Sequence, residues 1–107
     1  MSFIQVMTTT ETKDQAQTIA RHLVENKLAA CVQITGPIES TYLWKGQIET
    51  SCEHVCLIKT REDLFTRIET AIKSIHSYET PEIVAVKIIK GSADYLQWLE
   101  ESLLKDS

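Results

Sequence analysis

At 107 residues, with 43% hydrophobic and 24% charged side chains, the chain fits one compact domain spanning residues 1–107. A formal net charge of -4 disfavours broad phosphate-backbone binding, which needs clustered Lys and Arg, though it leaves room for a local basic patch. No apolar run approaches the roughly 18 residues of a membrane span, the start lacks a signal-peptide pattern, and Cys31, Cys52 and Cys56 form no disulfide framework. A cytoplasmic protein with no membrane and no nucleic-acid partner is expected.

Ser2 to Thr9 is rich in β-branched residues and predicts a first strand. Thr12 and Gln15 have the spacing of a capping box. Ala16, Ile19, Ala20, Leu23 and Val24 then make one apolar stripe, predicting a helix that ends near Lys27. Ala29 to Thr35 reads as a second strand, with Cys31 expected to be buried in it. Gly36-Pro37 marks a bulge or bend. The extended pattern resumes from Ile38 to Trp44, Lys45-Gly46 suits a tight turn, and Gln47 to Thr60 returns as a long strand. In that register Trp44 opposes Gln47 and Tyr42 opposes Glu49. The hairpin is long for this chain, so its outer arms are expected to reach beyond one domain's core.

Thr60 is placed to cap a second helix whose stripe is Leu64, Phe65, Ile68, Ile72 and Ile75. Pro81 cannot lie inside that helix. Ile83 to Ile89, almost wholly apolar, predicts a central strand covered on at least one face. Ser92 caps a last helix carrying Leu96, Leu99 and Leu103, with Tyr95 and Trp98 beside the stripe. The order β-α-β-β-α-β-α implies an α+β fold. It fits a split βαβ pair in a ferredoxin-like βαββαβ arrangement with an added C-terminal helix.

The densest chemistry lies in His76-Ser77-Tyr78-Glu79-Thr80-Pro81-Glu82, where a helix gives way to a strand. His76, Glu79 and Glu82 can supply nitrogen and oxygen ligands to a divalent ion. The structural alternative has Tyr78 packing, His76 capping the helix and Glu79 pairing with a lysine such as Lys59. Cys52, His54 and Cys56 share a strand face, but Cys52 and Cys56 would be about 13 Å apart there, too far for one zinc ion. Trp44 near the hairpin tip reads as a binding platform or as a subunit contact, and Trp98 as a second such contact. No nucleophile elbow, Walker loop or dinucleotide fingerprint is present, and no enzyme activity is expected.

Several segments together resemble the CutA family of divalent-cation tolerance proteins. They are Lys27-Leu28-Ala29-Ala30-Cys31-Val32, Tyr42-Leu43-Trp44-Lys45-Gly46-Gln47-Ile48-Glu49, Leu57-Ile58-Lys59-Thr60, His76 to Ile83, and Gly91 to Leu99. They occur in order and cover essentially the whole chain. The resemblance implies a tight homotrimer intertwined through the long hairpins, with a part in tolerance of copper and other divalent ions. It implies no obligatory cofactor, a divalent ion such as copper as ligand, and inter-subunit clefts lined by Lys59, His76, Tyr78 and Glu79, with His76 the metal ligand. The family's usual His-Pro-Tyr-Glu is broken here by Ser77. Copper ligands proposed in the family fall on Thr8, Ile75 and His76, of which only His76 can ligate. A PII-like signalling or scaffold trimer that binds a metabolite or partner protein is the alternative. An acylphosphatase-like enzyme of the same fold class lacks its phosphate-binding loop here.

Overall fold

The computed structural model describes residues 2–105. Strand β1 (Phe3–Thr10) leads into helix α1 (Lys13–Glu25), then β2 (Cys31–Trp44) and β3 (Gln47–Arg61). A short 3-10 turn (Glu62–Leu64), helix α2 (Phe65–Ile75), strand β4 (Val84–Lys87) and helix α3 (Ala93–Glu101) follow. The sheet order is β2-β3-β1-β4, antiparallel throughout. This is the split-βαβ, ferredoxin-like α+β arrangement that the element order implies.

Local chemistry fixes the ends of α1. Thr12 Oγ1 accepts from the Gln15 amide at 3.1 Å, satisfying one orphan donor of the first turn. Past the C-cap at Asn26, Lys27 takes φ +57, the Leu28 amide bonds to Leu23 O and the Lys27 amide to Val24 O. That pair of bonds is a Schellman stop. It turns the chain directly into β2.

Period two sorts the sheet into two faces. Ile4, Val6, Thr8, Cys56, Ile58 and Thr60 are buried on the face covered by Ala16, Ile19 and Leu23 of α1 and Ile68 and Ile72 of α2. Burial pushes the Cys56 thiol up to about 11, so it stays a small protonated hydrophobe whose Sγ lies 3.7 Å from Ala16 O. The other face carries Gln5, Met7, Leu57 and Lys59, with Val84 opposite Met7 and Val86 opposite Gln5. Val84 and Val86 are 46% and 50% exposed.

The hairpin pairs Trp44 with Gln47 and Tyr42 with Glu49. Its turn has positive φ at both Lys45 and Gly46, the geometry that matches strand twist in a two-residue loop. The register slips between Thr35 and Ile38, so Gly36-Pro37 is a bulge. A Cβ on Gly36 would lie 2.9 Å from His54 Cδ2, with φ +150, which explains the glycine. Beyond the bulge the two arms pair only with each other, and Leu43 and Ile48 are exposed. The radius of gyration is 14.4 Å, above the about 13 Å of a compact chain this long.

Three expectations are corrected. Thr60 does not cap α2: it is buried in β3, and its Oγ1 donates to Leu28 O at 2.6 Å. The α2 N-cap is Leu64, without a side-chain bond. The apolar run from Ile83 yields only the short strand β4, exposed throughout and at the sheet edge rather than central, with Val84 and Val86 on the face opposite α1 and α2. Cys31 is half-buried on that face rather than buried.

Candidate functional site

The segment after α2 crosses the end of β1 and closes against the base of the hairpin arm. His76 is the C-cap of α2, its amide bonded to Ile72 O. Its Nε2 lies 2.6 Å from Thr9 O, and its Nδ1 accepts the Tyr78 amide at 3.0 Å. A carbonyl only accepts, so Nε2 carries the proton and the ring is the neutral tautomer. His76 thereby locks the turn that delivers Tyr78, whose ring centroid sits 4.7 Å from its own. Tyr78 Oη then donates to Glu53 Oε2 at 2.8 Å.

These groups edge a cleft of about 820 Å³. One wall is Ser77 to Glu82 and the other is Ser40, Thr41, Tyr42 and Trp44 of the β2 arm, with Glu53 and Thr9 between them. Glu53 is 6% exposed. Burial, the Glu53 hydrogen bond and the nearby charges of Glu53 and Glu11 hold the Tyr78 phenol well above its ordinary pKa, so it remains a donor.

Tyr78 and Glu79 both line the cleft, and His76 positions it from beneath. Lys59 does not reach it within one chain: its Nζ donates to Gln33 Oε1 at 2.6 Å on the open sheet face. No group of three or more His, Cys, Asp or Glu among the described residues can hold a metal ion. Both nitrogens of His76 are committed, and Cys56 is buried while Cys52 is exposed.

The description "CutA1 divalent ion tolerance protein" matches residues 4–102. This chain belongs to that family. The divalent-cation tolerance protein CutA of Thermus thermophilus is 40% identical over 91% of this chain and 94% of its own length. Rice chloroplastic protein CutA 1 is 39% identical over 92% of this chain, which spans only 56% of the rice protein. The crystal structure of CutA1 from Oryza sativa superposes with a TM-score of 0.96 at 37% identity, covering 99% of this chain and 97% of that one. CutA1 from a psychrotrophic Shewanella gives 0.93 at 40% identity, with 96% of each chain covered. The relatives' names describe tolerance of divalent cations, not a reaction.

Two positions where the sequence resemblance breaks down have a local outcome. The Ser77 hydroxyl donates to Gln15 Oε1 at 3.2 Å and so ties the turn to α1. Thr8 is fully buried with Oγ1 unpartnered among the described residues. A hydroxyl there is a poor ligand for a soft metal. Glu53 was not singled out by the sequence, since nothing local marks it. Its signal is tertiary: Tyr78 lies 25 residues away in sequence.

Replacing Tyr78 by phenylalanine removes the donor that Glu53 has among the described residues and is expected to lower stability by about 1–3 kcal/mol. Urea unfolding at fixed protein concentration measures it. Adding Glu53→Leu should return most of the loss, because no charge is then stranded. An unchanged midpoint in Tyr78→Phe would show that water already serves Glu53.

Proposed function

We propose that this chain works as a homotrimer in divalent-cation tolerance. Its clefts between subunits take up a divalent cation such as copper, or a small ligand, weakly and without catalysing a reaction. The observation that carries this reading is the separation of Lys59 from Tyr78 and Glu79 within one chain. Lys59 lies six positions along β3 from Glu53, about 20 Å, on the sheet face that α1 and α2 do not cover. A second copy packed on that face can bring its Lys59 to this cleft. Exposed Val84, Val86, Leu43, Ile48 and Trp98 supply the apolar area such packing buries. Pairing of the β4 edge with a neighbour removes an aggregation hazard.

Copper is cargo in this reading, not a resident cofactor. A cation that uses His76 must displace the Tyr78 amide from Nδ1 or Thr9 O from the Nε2 side, which fits weak uptake. Three free thiols suit a reducing compartment such as the cytoplasm. The second reading, a PII-like trimer that binds a metabolite or partner protein, is favoured by the missing three-ligand group.

Sedimentation equilibrium is expected to give a trimer at micromolar concentration, with folding and assembly coupled; a stable folded monomer there refutes the assembly. Calorimetric titration of copper(II) into wild type and His76→Ala tests the ligand. Weaker binding by the variant supports His76, and equal binding removes it as a ligand.

A further inference from the structure

Glu53 is a buried carboxylate that lacks a cation. Among the described residues its one hydrogen-bond partner is Tyr78 Oη, on Oε2, so Oε1 has no protein donor. None of the ion pairs formed by the described residues includes it. Oε1 is not among the buried unpartnered atoms, so it opens to the cleft, where a cation's donors can replace water on a largely buried carboxylate. The cleft around it adds Glu79 and Glu82, and none of its lining residues is basic.

The remaining walls are aromatic. Tyr42, Trp44 and Tyr78 line the cleft, with Tyr42 and Trp44 each about two-fifths exposed. The Trp44 ring already attracts one cation, since Lys45 Nζ lies 5.5 Å from its centroid. A bare divalent ion needs several convergent oxygen or nitrogen ligands, and the described residues offer no such group. An alkylammonium needs less: one carboxylate for its N–H donors, and ring faces for its charge and methylenes.

We infer that the cleft takes a small organic ammonium, an alkyl amine or diamine, whose N–H donors meet Glu53 Oε1 and whose carbon chain lies among Tyr42, Trp44 and Tyr78. This deepens the cleft-binding reading above and rests on it. The rival source of the same ammonium chemistry is Lys59 of a second copy, whose one partner among the described residues of its own chain is the neutral Gln33.

The test is calorimetric titration of 1,4-diaminobutane into the assembled protein, with 1,4-butanediol as the uncharged control. Wild type is expected to bind the diamine and not the diol. Glu53→Gln, which keeps an acceptor for Tyr78, should weaken binding by roughly tenfold or more, and Trp44→Ala, at an exposed site, several-fold. Absence of diamine binding, or equal affinity in wild type and both variants, overturns the inference. Binding that emerges only in Lys59→Gln also overturns it, since a second copy's lysine then fills the cleft. A parallel copper(II) titration separates the two readings. Copper uptake without diamine binding sinks this inference alone, while loss of both sinks the cleft as a ligand site.

Discussion

Replacing Ile58 by alanine is expected to lower the unfolding free energy by about 3–4 kcal/mol. Ile58 is fully buried in β3, directly opposite Val6 of β1 on one side and Val32 of β2 on the other. Its side chain points into the layer filled by α1 and α2. Truncation there leaves a cavity that cannot collapse easily, because the strands on both flanks are pinned by their ladders and the helices by their own stripes. Ile58→Val removes one methyl and should cost about 1 kcal/mol. Urea midpoints must be compared at one protein concentration, since any assembly raises stability by mass action. A loss below about 1 kcal/mol for Ile58→Ala would mean that the helices settle onto the sheet, contrary to the packing argument.

The same residue shows why most of the fold is readable in the chain. Ile4, Val6, Cys56 and Ile58 alternate, Ile19, Leu23, Ile68 and Ile72 recur at helical spacing, and each pattern agrees with the turn chemistry beside it. Lys45-Gly46 set the hairpin register, because a two-residue turn, here with positive φ at both positions, fixes which residues face each other. The failures are equally physical. Threonine serves both as a helix cap and as a strand residue. What kept Thr60 in the strand is an acceptor, Leu28 O, 32 positions away in sequence. The run from Ile83 has the composition of a covered strand, yet β4 lies at an edge with Val84 and Val86 exposed in a single chain. Its composition and its environment agree only if something covers that face. At the site, His76, Tyr78 and Glu79 announce themselves by clustering at a helix end. Glu53 and the aromatic wall do not, because the hairpin brings them there from a distance.

Arg61 ties the added helix to the fold, and its replacement is the second large effect. The Arg61 side chain is 3% exposed at the end of β3, with Nε 2.7 Å from Asp63 Oδ1 and Nη1 3.5 Å from Glu100 Oε2. Glu100 belongs to α3, which also inserts Leu99 into the core, and the segment that follows it buries Leu103 and bonds Leu104 N to Lys27 O. Buried arginine stabilises through its stem as well as its charge. Glu100 Oε1 is already buried without a partner among the described residues, so removing Arg61 leaves that carboxylate more poorly matched.

Arg61→Ala is therefore expected to cost about 2–4 kcal/mol, below the full penalty for breaking a buried pair because Asp63 and Glu100 stay partly hydrated. The loss should also be local. Amide hydrogen exchange across Ala93–Glu101 is expected to accelerate towards that of a frayed helix, while β2 and β3 beyond the bulge keep their protection. A double replacement, Arg61→Met with Glu100→Gln, removes both charges, keeps most of the buried stem and should recover much of the stability. If exchange accelerates equally in the hairpin and in α3, Arg61 supports the whole sheet instead of one helix. If α3 keeps its protection in Arg61→Ala, Leu99 and Leu103 alone hold it down, and the ion pair is incidental.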